Sequence, residues 1–142
     1  GVGTLLHDIG LHFSPSTLLS TTAVITLDEK NRYWDHPLRG AELLLASAGI
    51  PDLAPIIAYE HHLHYDGEGF PVQQRPRELN LGSMIASITN TYDNLRRDKP
   101  EVKALSMTET LNRMNQGAGK DFHPLLLKAF RDLVKAQAKE TL

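Results

Sequence analysis

The sequence predicts an all-α fold, and three observations support this. Apolar residues recur every three or four positions, the spacing of an amphipathic helix, in several separate stretches. Two capping boxes, in which Thr or Ser is followed three residues later by Glu, mark helix starts at Thr26 and Ser106. Alternation of apolar and polar residues, the strand pattern, extends beyond a few residues only around 23–27, and no internal repeat is found. We therefore expect a core built from helices.

Length and composition describe a single globular domain. A chain of 142 residues, with 41% hydrophobic and 23% charged residues, can bury one core, so residues 1–142 are taken as one domain. Fifteen Lys and Arg against seventeen Asp and Glu give a net charge of -2, which argues against binding of duplex nucleic acid. Cysteine is absent, so any metal must be held by His, Asp, Glu or Asn.

The sequence carries no targeting or membrane signal. No apolar run approaches the ~20 residues that a membrane span needs. Residues 1–6 have neither a basic n-region nor an initiator Met, so they are not a signal peptide and fit the cut edge of a longer protein. These features predict a cytoplasmic domain.

The first half of the chain predicts three helices. The first begins at the Thr26 capping box and stops before Pro37, which biases His36 away from helical geometry. The second ends at Gly49 and carries an apolar stripe made of Ala41, Leu44, Leu45 and Ala48. The third is predicted over 51–65, with an inward face made of Leu53, Ile56, Ile57 and His61.

The second half predicts one long loop and three further helices. Residues 66–77 contain two Gly and two Pro, too many breakers for regular structure, and long loops in compact domains are often functional. Apolar residues at helical spacing predict a helix over 81–97. The Ser106 capping box begins a helix that Gly117 ends, and Pro124 begins the last helix.

Chemically active side chains cluster near the ends of three predicted elements. The pairs are His7–Asp8, Asp35–His36 and His61–His62. Imidazoles and carboxylates from facing helices of a bundle can converge on a metal ion. Any single pair is more often a surface or capping pair, but three in so short a chain favour a metal site. His12, His64 and His123 are interpreted as ordinary surface residues, the last at a helix start.

Asp8 is central to this hypothesis. His7 and Asp8 lie in an apolar stretch, and a buried ionised Asp is costly unless it is paired or bound to metal. The two carboxylate oxygens of Asp8 could bridge two cations. His61 and His62 are neighbours and point about 100° apart on a helix. One is expected to hold an ion, and the other to support it from outside, face the substrate or reach a further ion.

Three motifs together resemble the signatures of the HD-GYP domain, over essentially the whole chain. They are His7-Asp8-Ile9-Gly10, His36-Pro37-Leu38-Arg39-Gly40 and the run from His61-His62 to Asp66-Gly67-Glu68-Gly69-Phe70-Pro71, followed by Tyr92-Asp93-Asn94-Leu95. The resemblance implies an all-α helical bundle of the HD superfamily with two or three divalent metal ions, iron or manganese. It also implies hydrolysis of the bacterial second messenger cyclic di-GMP.

The resemblance also implies roles for individual residues. The positions that match the family's metal ligands are His7, Asp8, His36, His61 and His62, with Asp8 bridging the ions at the catalytic centre. In the long loop, Gly67, Gly69 and Phe70 match residues that shape the substrate-binding site. The resemblance therefore places the metal and the substrate side by side.

Several positions depart from the family pattern. Leu11 stands where the family has a Lys that contacts the substrate phosphate, Leu63 replaces a Glu, and Phe70 replaces a Tyr. Asn90 replaces a metal-binding Asp, and as a neutral oxygen ligand it holds a cation less tightly. A family ligand one helix before His7 is missing from this sequence, so the domain is expected to lack its first helices.

The function that follows is hydrolysis of a cyclic dinucleotide by a metal-activated hydroxide, without a protein nucleophile. Arg75 and Arg77 in the long loop are candidate phosphate contacts, although a loop Arg is often merely solvated. The alternative is a catalytically weak or silent regulatory module that binds a nucleotide or a protein partner, which Leu11, Phe70 and Asn90 favour. A different HD-superfamily phosphohydrolase is disfavoured by the Gly-rich loop. An upstream sensory or receiver domain is a further expectation.

Overall fold

A computed structural model describes residues 1–14, 26–72, 78–99 and 102–140. Over these ranges the chain forms helices and no β-strand, which confirms the all-α prediction. The elements are α1 (Val2–Leu6), a 3-10 helix (Ile9–Phe13), α2 (Leu27–Trp34), α3 (His36–Leu45), α4 (Leu53–Glu60), α5 (Leu81–Arg96), α6 (Met107–Gln116) and α7 (Pro124–Glu140). No helix within the described ranges is long and apolar enough to cross a membrane.

The first half of the chain packs around α4. Helices α1 and α3 both contact α4, and the 3-10 helix lies on α3. The apolar centre of this half consists of Leu44, Ala54 and Ala58, with Leu6, Ile9 and Ile50 packed against them. Burial of these side chains fixes the relative positions of α1, α3 and α4.

Two glycines allow the 3-10 helix to reach α3. A Cβ built on Gly10 would lie 2.0 Å from the carbonyl oxygen of His36, and one built on Gly40 would lie 3.1 Å from the amide nitrogen of Gly10. The two backbones therefore touch without side chains between them. This close approach brings Asp8, at the start of the 3-10 helix, beside His36 at the start of α3.

The second half packs α6 and α7 on α5, and α5 contacts α4. Its apolar centre consists of Ile88, Met114, Phe122 and Leu127, with Tyr92, Leu95, Leu126 and Phe130 packed against them. Helix α5 thus joins the two halves. Its face toward α4 lies beside the ends of the helices that carry the histidines.

The predicted helix ends are confirmed in four places. Thr26 and Ser106 each form a complete capping box at the start of α2 and α6. Gly117 follows the last residue of α6, and Pro124 begins α7. His123 lies at that start, where its Nδ1 accepts from the backbone N–H of Leu126 at 3.5 Å.

Four expectations for the first half were wrong. Leu53 and Ile56, expected on an inward face, are exposed at 42% and 37%. His36 is helical, because Pro37 occupies the first turn of α3, where no backbone N–H is needed. Leu45 and Ala48 are exposed, because α3 ends at Leu45 and its buried face is offset from the predicted stripe. Helix α4 ends at Glu60 instead of near Tyr65, because the chain turns at His61 into the Gly-rich loop.

Candidate metal centre and adjoining pocket

Four side chains from three separate segments direct donor atoms at one place. One donor atom from each of Asp8, His36, His61 and His62 lies within 4.8 Å of the others. His36 and His61 are completely buried, at 0% and 1% exposure, whereas Asp8 remains partly accessible. The structure thus brings together the predicted ligands that lie at the start of the 3-10 helix, at the start of α3 and at the end of α4.

Backbone carbonyls orient three of the imidazoles. In each, the ring Nδ1 lies within hydrogen-bond distance of the carbonyl oxygen three residues earlier. The pairs are His7 with Thr4 (2.7 Å), His36 with Tyr33 (2.5 Å) and His61 with Ala58 (2.8 Å). A carbonyl only accepts, so each Nδ1 carries a proton and each ring turns its Nε2 toward the centre. Metal-binding histidines are commonly held in this way.

The Asp8 carboxylate faces a different set of imidazoles with each of its oxygens. Oδ1 lies 3.3 Å from Nε2 of both His36 and His61, and these two nitrogens are 3.3 Å apart. Oδ2 lies 3.1 Å from Nε2 of His7, an atom that is buried and has no hydrogen bond of acceptable geometry. Where no proton occupies Nε2, the nitrogen and oxygen lone pairs repel at these distances, and a cation between them removes the repulsion. The donor set therefore fits a divalent metal.

The protonation equilibria reflect this arrangement. Burial would raise the pKa of Asp8, but contacts with the imidazoles of His36, His61 and His7 outweigh it and hold that pKa far below its usual range. Burial, reinforced by the neighbouring His61, lowers the pKa of His62 to about 3. Burial also lowers the pKa of His61. An ionised carboxylate and neutral imidazoles are the forms that bind metal.

His7 behaves differently from the other histidines. Burial would lower its pKa, but the Asp8 carboxylate, the Thr4 carbonyl and the Asn90 side chain together raise it above the ordinary 6.5. The ring of His7 also meets the ring of His61 edge-on, with centroids 4.9 Å apart. His7 is thus in contact with the cluster through Asp8 and His61, on the side toward α5.

The expectation that His61 and His62 diverge rested on a helix continuing through both residues. Since α4 ends at Glu60, the chain turns between them and both rings reach the cluster, with centroids 4.1 Å apart. Phe70 stacks on the outer face of His62, with centroids 4.2 Å apart and planes 22° from parallel. Phe70 therefore holds the ring of His62 in place.

The two glycines of the loop have a conformational role. Gly67 and Gly69 have φ angles of +89° and +95°, which side chains other than glycine rarely adopt. A Cβ on Gly69 would lie 2.2 Å from the carbonyl oxygen of His62. These residues fold the loop back so that Phe70 reaches His62. Gly67, Gly69 and Phe70 do not line the pocket beside the cluster, and their contact with a substrate stays a prediction. Arg75 and Arg77 lie outside the described residues.

A pocket of about 320 Å³ opens beside the cluster, and His61 and His62 belong to both. One wall is a polar stripe on α5, and its members are Ser87, Asn90, Thr91 and Asn94. Asn90 is half-buried, and its Oδ1 accepts from Nδ2 of Asn94 at 2.8 Å. Its position near His7 makes it a neighbour of the centre, in agreement with the resemblance, which matches Asn90 to a metal-binding position.

The opposite wall consists of residues that the sequence analysis did not single out. It includes His64, Lys99, Asp121 and Phe122. His64 was expected to be an ordinary surface residue, but its Nδ1 is buried, has no hydrogen bond and faces Oδ1 of Asp121 at 3.6 Å. Backbone bonds from Tyr65 N to Asp121 O (3.2 Å) and from Asp66 N to Lys120 O (3.0 Å) tie the loop to this wall.

One signal for the pocket was present in the sequence. The polar residues of α5 follow one another at intervals of three, one and three, which places them on a single helix face. A polar stripe beside an apolar face of the same helix indicates either a solvent face or a binding wall. The residues of the opposite wall come from two distant segments, so no local pattern could have identified them.

Curated proteins similar to this chain cover most of it. It is 29% identical over 130 residues to a cyclic di-GMP phosphodiesterase of Pseudomonas aeruginosa, spanning 92% of this chain and 31% of that protein. It is 28% identical over 131 residues to a cyclic di-GMP phosphodiesterase of Thermotoga maritima, spanning 92% and 36%. It is 30% identical over 125 residues to the cyclic di-GMP phosphodiesterase response regulator RpfG of Xanthomonas campestris, spanning 87% and 33%.

The chain spans about a third of the length of these relatives. The sequence model of the HD domain matches residues 2–126, a range that includes the whole His and Asp cluster and both walls of the pocket. This match and the relatives confirm the resemblance that the three motifs predict. The chain belongs to the HD domain family.

Proposed function

We propose that this chain is a metal-dependent phosphodiesterase that hydrolyses cyclic di-GMP. The observation that carries the proposal is the convergence of Asp8 with three buried or half-buried imidazoles beside a pocket that His61 and His62 also line. The cyclic di-GMP phosphodiesterase activity named for the three relatives supports the choice of substrate, and it favours hydrolysis over the regulatory alternative. When bound, divalent ions supply positive charge to the phosphoryl oxygens and lower the pKa of a water molecule.

We propose that the centre would hold two ions, with Asp8 offering one oxygen to each set of imidazoles. Its Oδ1 faces His36 and His61, and its Oδ2 faces His7, so each oxygen has its own imidazole partners. His62 joins the first set, and the amide oxygen of Asn90 is the candidate that completes the second. Imidazole and carboxylate donors together suit iron and manganese, which we propose as the metals.

The residues of the chain position the substrate next to these ions. The polar stripe of α5 offers hydroxyl and amide groups along the pocket, and Lys99 brings positive charge to its wall. A cyclic dinucleotide carries two phosphates, so a cation on the wall favours its entry into a chain of net charge -2. The buried Nδ1 contacts with backbone carbonyls keep His36 and His61 from rotating during the reaction.

The test is metal analysis together with an activity assay. Protein purified without chelator is loaded anaerobically with Fe²⁺ or Mn²⁺, and cyclic di-GMP and its linear products are separated by chromatography. We expect about two metal ions per chain and turnover that a chelator abolishes. The matched control is Asp132→Asn, which removes an exposed carboxylate paired with Lys128 on α7, outside the pocket. Metal-loaded protein that leaves cyclic di-GMP intact would contradict the proposal.

A further inference from the structure

We propose that Asp121 is a specificity-determining residue that recognises guanine in the pocket beside the cluster. The inference rests on the proposed function, because it concerns one base of the cyclic dinucleotide. The pocket that His61 and His62 line also has the Asp121 carboxylate in its lining. A nucleotide whose phosphate lies at the cluster would extend its base along this pocket.

Neighbouring atoms hold the Asp121 carboxylate in one position. A Cβ on Gly117 would lie 2.4 Å from Oδ2 of Asp121, so only a glycine at position 117 leaves room for this carboxylate. The backbone of Asp121 is held on both sides, because its N–H donates to Gly117 at 2.8 Å and its carbonyl accepts from Tyr65 at 3.2 Å. A side chain positioned in this way loses little conformational freedom when a ligand binds.

The carboxylate is also available to a ligand. Its side chain is 40% exposed, and its contact with His64, at 3.6 Å between Nδ1 and Oδ1, is longer than a hydrogen bond. Among the described residues, neither oxygen of Asp121 accepts a hydrogen bond, so both can accept from a ligand.

A carboxylate distinguishes guanine from adenine by simple hydrogen-bond chemistry. The Watson–Crick edge of guanine presents two adjacent donors, N1–H and the 2-amino group, and a carboxylate can accept from both. Adenine presents an unprotonated N1 at the corresponding position, whose lone pair the carboxylate repels. A site built on a carboxylate thus favours guanine and disfavours adenine at the same time.

The remaining lining residues suit the rest of the base. Lys99 and Asn94 offer N–H donors, which the O6 and N7 acceptors of guanine require, and Leu95 and Phe122 offer apolar surface for the ring faces. The volume of about 320 Å³ is at the lower end for small-molecule pockets, so it suits one half of the dinucleotide. Recognition of one base by this pocket is therefore consistent with its size.

The experiment measures base preference by competition. Cyclic di-GMP, cyclic di-AMP and cyclic di-IMP, which lacks the 2-amino group, each displace fluorescently labelled cyclic di-GMP from the metal-loaded protein within seconds of mixing. For the unaltered protein we expect cyclic di-AMP to bind about 10- to 100-fold more weakly than cyclic di-GMP. We expect cyclic di-IMP to bind about tenfold more weakly, since it loses one bond to a charged acceptor.

Asp121→Asn then tests the residue itself. An amide replaces one acceptor by a donor, so we expect the affinity differences among the three ligands to shrink to within about threefold. The control Asp132→Asn should keep the full preference, because its carboxylate lies outside the pocket. Equal affinities in the unaltered protein would overturn the inference. So would an Asp121→Asn variant that weakens all three ligands equally, because that result would mean that Asp121 acts only through His64.

Failure of this inference can be told apart from failure of the proposed function. Hydrolysis of bis(p-nitrophenyl) phosphate, which has no base, reports on the metal centre of the unaltered protein alone. If the protein hydrolyses that ester but binds the three dinucleotides with equal affinity, guanine recognition is overturned and the proposed hydrolase activity stands. If the protein prefers guanine through Asp121 but hydrolyses no ester, guanine recognition stands and the proposed hydrolase activity is overturned.

Discussion

At the scale of single residues, Asp8 supplies the negative charge of the centre. Its two oxygens contact His36, His61 and His7, and among the described residues no other carboxylate lies in the cluster. We expect Asp8→Asn to lower metal affinity by at least about 100-fold, because the amide removes the negative charge of the donor set. Hydrolysis of cyclic di-GMP should fall by about 10³-fold or more. Metal content per chain and turnover are the measurements.

The matched control for Asp8 is the exposed Asp132→Asn, which should bind metal and turn over normally. Asp8→Asn protein with full metal content and normal turnover would show that Asp8 is not a ligand. The distinction matters because Asp8 could also hold the three imidazoles by hydrogen bonds alone. In that case Asp8→Asn would lower the melting temperature of the chelator-treated protein without changing metal stoichiometry.

A substitution of Asn90 is expected to raise metal affinity, whereas the substitution of Asp8 lowers it. Asn90 lies on the pocket wall near His7, where it can supply only a neutral oxygen to a cation. We expect Asn90→Asp to tighten metal binding by about tenfold, since an ionised ligand adds Coulomb attraction that an amide lacks. Turnover at limiting metal should rise with it. Metal affinity measured by chelator competition checks the first point, and unchanged affinity would mean that Asn90 only supports the pocket wall.

The sequence predicted which residues belong to the centre better than it predicted how they are arranged. His7, Asp8, His36 and His61 could be predicted because an acidic or second imidazole neighbour at a helix end is visible in the chain. Only the resemblance placed His62 among the ligands, because the convergence of its ring with that of His61 depends on the exact residue at which α4 ends. Asp121 and His64 were missed since their contact joins residues that are far apart in sequence.

At the scale of elements, the centre depends on the backbone contact between the 3-10 helix and α3. A methyl group at position 10 would collide with the carbonyl of His36, which is backbone and cannot move aside alone. We expect Gly10→Ala to destabilise the protein by about 3 kcal/mol, at the upper end for overpacking. Metal binding should weaken as well, because Asp8 and His36 separate. Urea denaturation in chelator measures the first effect.

Gly1→Ala is the control for this substitution, because a Cβ at Gly1 meets nothing within 4 Å. It should unfold at the same urea concentration as the unaltered protein. If Gly10→Ala were as stable as the unaltered protein, the backbones of the 3-10 helix and α3 could separate without loss of stability. That result would contradict the argument that glycine at this position creates the centre.

The capping box of α6 gives a prediction for pH. Oε2 of Glu109 accepts from the N–H of Ser106 at 2.9 Å and from its hydroxyl, which lowers the pKa of Glu109 below the ordinary 4.5. Because the pKa is lower in the folded protein, the stabilisation is present above pH 4.5 and is lost as pH falls through the folded value. We expect Glu109→Gln to melt at a lower temperature than the unaltered protein at pH 7.

The same two proteins should melt at nearly equal temperatures near pH 2.5. They share every other titratable group, so the difference between their melting curves isolates Glu109. A difference that stays constant from pH 7 to pH 2.5 would mean that the carboxylate charge has no part in the cap. Thermal melts followed by circular dichroism over this range are sufficient.

Helix starts were more predictable than the paths between helices. A capping box is a local arrangement of Ser or Thr with Glu, so Thr26 and Ser106 correctly predicted the starts of α2 and α6. The end of α4 depends instead on the fold of the following loop, where Leu63 pairs with Gly69 and is almost completely buried. Such a stop results from tertiary packing, and no residue within α4 signals it.

At the scale of the whole molecule, the centre joins segments that are otherwise held apart. Asp8, His36 and His61 come from the beginning, middle and end of the first half, and the pocket beside them is closed by residues of the second half. The two apolar centres stabilise each half separately. A metal ion at the junction therefore links three segments whose order in the chain leaves long loops between them, as a cross-link would.

Metal binding should consequently stabilise the whole fold. A ligand that binds only the folded state adds about 2.7 kcal/mol at a concentration 100 times its dissociation constant. For a chain of this length we expect excess Mn²⁺ to raise the melting temperature by about 10 °C over chelator-treated protein. Asp8→Asn should show no such rise, whereas Asp132→Asn should show all of it. A rise of equal size in all three proteins would mean that Mn²⁺ stabilises the fold at some other place, and no rise in the unaltered protein would mean that the lone pairs at the junction are not a metal site.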